Sequence, residues 1–516
     1  MARYCIGEAA RTRPDHVALI VVHDADAPAA SAERWTYAEL DDAVRAVAAG
    51  LLADGVAPGD RVLLRMGNTS DYALLFFGAL TAGIVPLPSS AMLTAGEASF
   101  LLTDSAAGTI AVADGLVVEL PPAAPPRLVE PEDLMRWRAS PQRVEYADTA
   151  ADDPAFLVYT SGTTGSPKGV LHAHRSAWGR RPMYHGWYGL RADDVMLHAG
   201  AFNWTYTLGV GLTDPWANGA TALIYNGPKD PGVWPRLIEA HRATLFAAVP
   251  GVFRQLLHDG AWRAHNLSSL RHALTAGEAL RPALREEWLA ATGTQLYEAL
   301  GMSECSTYIS CSPTIPVRPG SPGRPQPGRC VQIIPAEPED GDDPLPPGEV
   351  GLLAVHRSDP GLMLGYWNRP QEEQEVYRGE WFVGGDLAEF DDDGYVIYHG
   401  RNDDVMNPMG YRVSPMEVEA VLAAHPDVAE VAVTELVVKE GVAVVAAFVV
   451  PAVGAGRDPQ ALMAYAAQHL ARYKCPREVR YLAGLPRTPN GKVLRRALPA
   501  QPVDQGLDRP GGPPAT

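Results

Sequence analysis

The segment VYTSGTTGSPKGV, Val158–Val170, sets three glycines, three threonines, serines and a single lysine between apolar shoulders. Glycine lets neighbouring backbone N–H groups turn toward one point, hydroxyls add donors, and lysine adds charge. That mixture suits a polyanion, most simply the phosphates of a nucleotide. A Walker A loop needs glycine, four residues and then Gly-Lys-Ser/Thr. Here Lys168 lies between Pro167 and Gly169, and the Gly491–Lys492 pair is followed by Val493. The P-loop NTPase reading fails. A surface linker is the plainer alternative, but it explains neither the apolar AFLVY before the loop nor the KGVLHAH after it.

The loop must be held by layered structure. WTYAELDDAVRAVAAGLLADGV reads as a helix, with a capping box at Thr36 and Glu39, apolar positions at Leu40, Val44, Val47 and Leu51, and Gly55 as a stop. RVLLRM and GIVPLP read as buried strands around a helix at Tyr72. Apolar runs recur at AFLVYT, TALIY, TLFAAV and HALTAG with helical stretches between them, which predicts α/β layers with largely parallel sheets. Residues 314–348 crowd proline and glycine around short strands, the texture of a small β-rich subdomain. After residue 400 a compact α+β pattern begins. The expected organisation is a large N-terminal domain over 1–401, a small mobile α+β domain over 402–499, and a disordered tail over 500–516.

Bulk properties narrow the partners. A chain of 516 residues exceeds one hydrophobic core. Its formal net charge of −18 argues against a broad nucleic-acid or anionic-membrane footprint, though not against a local anion pocket. The run from Tyr72 is broken by glycine and proline and predicts no membrane span, and the start predicts no signal peptide. Five cysteines, an odd number without metal-ligand spacing, predict a reduced, cytoplasmic setting.

YTSGTTGSPKG resembles the phosphate loop of the adenylate-forming (AMP-binding) superfamily, which includes acyl- and aryl-CoA ligases. Further signatures follow in family order: AGEAL (Ala276–Leu280), LGMSE (Leu300–Glu304), GGD (Gly384–Asp386), GRNDDVMNPMGYRV (Gly400–Val413) and PRTPNGKVLRR (Pro486–Arg496). The resemblance implies ATP, Mg²⁺ and coenzyme A as cofactors. It implies two half-reactions: a carboxylate displaces pyrophosphate to form an acyl-adenylate, then a thiol displaces AMP.

By that resemblance Thr160, Ser161, Gly162, Thr163, Thr164, Gly165 and Lys168 hold the β- and γ-phosphates. Glu304 carries Mg²⁺, a hard cation that bridges phosphates with few protein ligands. Ser303, where the family usually has threonine, keeps a hydroxyl for the α-phosphate. Gly277, Glu278 and Ala279 line the adenine site, and Asp386 accepts the ribose hydroxyls with Arg401 beside it. Lys492 bridges the attacking carboxylate and the α-phosphate, a role suited to a flexible point charge. Asp403 is the hinge, Gly410 lets the pantetheine chain pass close to backbone, and Arg412 supports the thiol step. Each of these residues alone has a bland reading, as a surface carboxylate, a turn aspartate or a solvated lysine.

Leu300 departs from the aromatic that most relatives place before the glycine of this motif. Some benzoate-type ligases share an aliphatic there, YTLGVGLTDP resembles their acid-pocket helix, and DPWANGA resembles the medium-chain acyl-CoA ligases. A hydrophobic acid, aromatic, alicyclic or short to medium chain, is the expected substrate. Trp204, Tyr206, Ala276, Gly301 and Met302 are its expected pocket, with core packing the alternative for Trp204 and Tyr206. Two rival functions stand beside the CoA ligase. One is a freestanding enzyme loading a carrier protein in trans, since residues 493–516 leave no room for a carrier domain. The other is a nucleotide-binding protein without turnover.

Overall fold

A computed structural model describes residues 1–113, 115–120, 125–160, 167–228, 230–402, 406, 413–439, 442–470, 472, 474–488, 491 and 493–501. The chain divides into two compact units, one of residues 1–332, 354–384 and 390–397, the other of residues 333–353, 385–389 and 398–516.

The larger unit holds a nine-stranded sheet. Its middle runs Gln295–Met302, His272–Ala276, Leu245–Ala248, Val195–His198, Thr221–Tyr225 and Val17–Val22, all parallel neighbours. Antiparallel strands close both edges. Strands buried on both faces must be apolar throughout, and TALIY and LFAA are fully buried. A second, all-parallel sheet orders Val85–Ser89, Arg61–Arg65, Thr109–Val112 and Arg127–Val129.

The helix predicted from the Thr36 cap is Tyr37–Ala53. Both reciprocal bonds of the capping box with Glu39 are present, an arrangement worth about 1 kcal/mol. Its Leu40, Val44, Val47 and Leu51 are all buried, and it packs in one core with Tyr72, Phe76 and Phe77 of the helix Ser70–Thr81. The stretch expected as one acid-pocket helix is three short segments, Thr205–Leu208, Gly209–Thr213 and Asp214–Ala217, the middle one π-helical. Gly209 opens this middle segment, and a Cβ there would collide with the guanidinium of Arg180. That guanidinium is itself buried against Asp214, with Nε 2.8 Å from one carboxylate oxygen and Nη2 2.6 Å from the other.

The smaller unit is α+β, as the sequence pattern predicts. Strand Val428–Lys439 pairs antiparallel with Val442–Pro451, which runs parallel to Glu478–Tyr481. Helices Pro415–Ala423 and Pro459–His469 contribute Val418, Leu422, Leu462 and Ala466 to a core with Val433, Val449 and Tyr481. The proline- and glycine-rich stretch carries the strand Val331–Ile334, and the strands Gly351–His356, Trp381–Phe390 and Val396–Arg401 follow it.

Candidate functional site

The expected phosphate loop joins two antiparallel strands, Pro154–Thr160 and Lys168–Ala173. Thr160 and Lys168 face each other across the last rung of this hairpin, so the two ends of the loop are fixed by sheet hydrogen bonding. Ser161, Gly162, Thr163, Thr164 and Gly165 lie outside the described residues. A third strand, Gly365–Tyr366, adds to the hairpin opposite Leu171 and Val170. It belongs to the stretch GYWNRP and carries an aromatic ring to the loop's end. Lys168 Nζ lies 5.3 Å from the centre of the Tyr366 ring, a cation–π contact, and pairs with the Glu372 carboxylate.

Glu304 belongs to the turn between strands Gln295–Met302 and Ser306–Ser310. The phenol of Tyr366 donates to Glu304 Oε1 at 2.8 Å, and the Met363 N–H donates to the Glu304 carbonyl at 2.8 Å. On the preceding residue, the Ser303 carbonyl accepts from His172 Nε2 at 2.9 Å. Lys168 and Glu304, 136 positions apart in sequence, therefore share one aromatic neighbour, and the hairpin and the turn are locked by side chains of both. The His172 ring stacks on Phe156 at 4.7 Å, and burial lowers its pKa to about 3. It is neutral, with the proton on Nε2 as the carbonyl partner requires, while Nδ1 is buried without a hydrogen-bond partner among the described residues.

Beside this turn the strand His272–Ala276 ends with Ala276 opposite Ala299, while its parallel neighbour Gln295–Met302 runs on to the turn. Gly277 adopts φ +97°, where a side chain is strained, and a Cβ there would sit 3.0 Å from the Trp204 ring. Gly301 lies where a Cβ would run into the Ser306 carbonyl, at a register shift between Leu300 and Gly301. Met302, Ser303 and Glu304 are half-buried, as are Trp204 and Glu278, whereas Ala279 is exposed. Tyr206 is buried, its hydroxyl donating to the Ala248 carbonyl at 3.3 Å and its ring edge-on to Trp204 and His198. Of the two aromatic pocket candidates, Trp204 reaches the Gly277 turn and Tyr206 packs behind it.

The end of the Ala276–Leu280 segment has an anchor that the sequence pattern did not reveal. Glu298 Oε1 accepts from the Leu280 N–H at 2.8 Å, and Oε2 lies 3.0 Å from Arg285 Nη2. Burial pushes the Glu298 carboxyl up to about 7, against the opposing pull of the N–H and the guanidinium.

In the smaller unit Asp386 is buried on strand Trp381–Phe390. Its Oδ1 accepts from the Tyr398 phenol at 2.8 Å and lies 3.9 Å from Arg401 Nη1. The glycine before it, Gly385, has φ +83°, and a Cβ there would meet the Arg401 guanidinium at 3.0 Å. Asp386 and Arg401 are thus brought together. Asp403, Gly410, Arg412 and Lys492 lie outside the described residues.

The donor set suits magnesium better than a metal that demands a protein cage. Among the described residues no three His, Cys, Asp or Glu side chains converge on a metal position. Glu304 offers one half-buried carboxylate, oriented by Tyr366, beside the end of the loop. One or two carboxylates completed by phosphate oxygens are the usual protein share of Mg²⁺ coordination. Among the described residues no helix is long and apolar enough to cross a membrane.

The chain is similar to known proteins over almost its whole length. The AMP-binding enzyme model matches residues 6–367, and the AMP-binding enzyme C-terminal domain model matches residues 417–492. The chain is 32% identical over 503 residues to a 3-hydroxybenzoate–CoA ligase of Aromatoleum sp. (strain CIB), covering 92% of this chain and 93% of that relative. It is 33% identical over 501 residues to the human mitochondrial acyl-coenzyme A synthetase ACSM5, covering 91% and 84%. A crystal structure of a benzoate CoA ligase from Burkholderia xenovorans LB400 superimposes with a TM-score of 0.82 at 29% identity, covering 96% of this chain and 99% of that one.

Proposed function

Because the chain belongs to the AMP-binding enzyme family, we propose that it is an ATP-dependent acid–CoA ligase that works through an acyl-adenylate. One observation carries the reading: a lysine at the end of a glycine-rich hairpin loop and a half-buried carboxylate share the single residue Tyr366. A carboxylate attacking a phosphate is repelled by it, so the enzyme must neutralise charge and align the reactants.

In this reading Thr160, Lys168 and the loop between them bind the β- and γ-phosphates. Glu304, held by Tyr366, supplies a carboxylate for Mg²⁺, which when bound neutralises phosphate charge. Asp386 accepts the ribose hydroxyls, with its second partner Tyr398 fixing the orientation. Lys492 neutralises charge between the incoming carboxylate and the α-phosphate while the new P–O bond forms and pyrophosphate departs. The CoA thiolate then adds to the acyl carbonyl, and AMP leaves with the oxygen that bridged acyl and phosphate. Arg412 and Gly410 serve that second step, and Asp403 is the hinge of the smaller domain, residues 402–499.

The substrate we infer is a hydrophobic monocarboxylic acid, aromatic by preference. Support comes from Leu300, from Trp204 against Gly277, and from the hydroxybenzoate and benzoate ligases among the relatives. A cytoplasmic setting is part of the reading and is supported by five free cysteines.

The test is release of pyrophosphate by the purified chain with Mg·ATP and a panel of benzoates, alicyclic acids and short to medium fatty acids, each with CoA or with a carrier protein. Acid-dependent pyrophosphate and AMP with CoA thioester formation supports the assignment. AMP formation with a carrier and not with CoA would replace it by carrier loading. Nucleotide binding without turnover on any acid would replace it by a regulatory role.

A further inference from the structure

Glu372 stands on the short helix Pro370–Glu375, just beyond Tyr366, and its carboxylate pairs with Lys168. Arg369 steadies it, with Nε 3.6 Å from Glu372 Oε1 and Nη2 2.7 Å from Asp104 Oδ1. Asp104 in turn accepts from the Tyr159 phenol at 2.7 Å, one residue before Thr160. Asp104, Arg369, Glu372 and Lys168 thus form a run of alternating charge along the edge of the hairpin. The side chains of Lys168 and Glu372 are only 16% and 26% exposed, so solvent screens the pair incompletely.

Resting on the reading of Lys168 as a phosphate ligand, we propose that Glu372 is a stand-in anion for the triphosphate. It neutralises Lys168 when the loop is empty, gives it up to the β- and γ-phosphates, and takes it back as pyrophosphate leaves. A lysine can serve both partners because its ammonium is a compact charge with three donors on a flexible stem. It cannot serve both equally at once, since carboxylate and phosphate repel each other across so small a distance. The exchange costs ATP affinity and returns it as release of pyrophosphate. Because the cost falls on bound ATP and on the later states alike, removing it tightens binding without lowering the chemical barrier.

The experiment measures binding of Mg·ATP and of Mg·pyrophosphate to the full chain by calorimetry, with KM for ATP and kcat on the acid that the panel selects. In Glu372→Gln both dissociation constants and KM fall about three- to tenfold, the size of a partly screened ion pair, and kcat does not rise. Glu375→Gln, an equal charge change at an exposed position of the same helix, leaves them unchanged. Unchanged or weaker binding in Glu372→Gln, or an equal gain in Glu375→Gln, overturns the proposal. Failure of the unaltered chain to bind ATP would overturn the phosphate-loop reading itself, and this proposal with it.

Discussion

The Tyr366 phenol donates to Glu304 Oε1 at 2.8 Å while its ring lies under the ammonium of Lys168. One side chain thus orients a carboxylate and stabilises a cation, the two charged groups that the proposed function assigns to the metal and the phosphates. The strand that carries it, Gly365–Tyr366, pairs with the hairpin of the glycine-rich loop, so the aromatic belongs to the loop's own sheet.

Tyr366→Phe keeps the ring and removes only the donor. A hydrogen bond to a charged group contributes about 1.5–3 kcal/mol. We expect kcat/KM for ATP to fall about 10- to 100-fold, with a raised Mg²⁺ requirement and a thermal midpoint within about 2 °C of the parent. Titrating Mg²⁺ against pyrophosphate release, with thermal unfolding alongside, checks this. An unchanged Mg²⁺ requirement would free Tyr366 from the role.

His172 predicts a pH dependence with a definite sign. Its folded pKa, about 3, lies below the ordinary value of 6.5, so the unfolded chain takes up the proton first as pH falls. The stability it contributes is present above about pH 6.5 and is lost on acidification toward pH 3, at a slope approaching roughly 1.4 kcal/mol per pH unit. His172→Phe keeps the stack on Phe156 but cannot titrate. Its thermal midpoint should start lower at pH 8 and fall less steeply between pH 6.5 and 4. Parallel curves for the two proteins would contradict the neutral, buried imidazole.

What sequence could and could not reveal follows from the range of each interaction. The Tyr37–Ala53 helix was legible because its cap, apolar face and stop lie within one short window. The strand before the glycine-rich loop was legible because AFLVYT is one contiguous apolar run, but its place was not: the pattern set it among parallel strands, whereas it pairs antiparallel with Lys168–Ala173. Tyr366, Glu372, His172 and Glu298 were not singled out, since each acts on a partner that the fold brings close. GYWNRP did carry a sign, two aromatics between glycine and proline, but nothing local ties it to Glu304. Tyr206 and Trp204 had equal claims on the pocket until packing separated them.

The buried Arg285–Glu298 pair predicts a large and asymmetric effect. Glu298→Ala strands a buried guanidinium and frees the Leu280 N–H, and losing one partner of such a pair costs about 3–5 kcal/mol. The double variant Arg285→Met with Glu298→Leu should recover part of that loss. Thermal unfolding of the three proteins decides it. If the double variant is the least stable, the pair contributes more than its own desolvation cost.

The activation chemistry itself is best tested by following oxygen. With benzoate, or the acid that the panel selects, labelled in its carboxylate with heavy oxygen, the enzyme, Mg·ATP and CoA should yield AMP that carries one labelled oxygen and unlabelled pyrophosphate. That outcome requires carboxylate attack on the α-phosphorus and departure of AMP with the bridging oxygen. Unlabelled AMP, or label in inorganic phosphate beside ADP, would contradict the acyl-adenylate route on which every residue assignment depends.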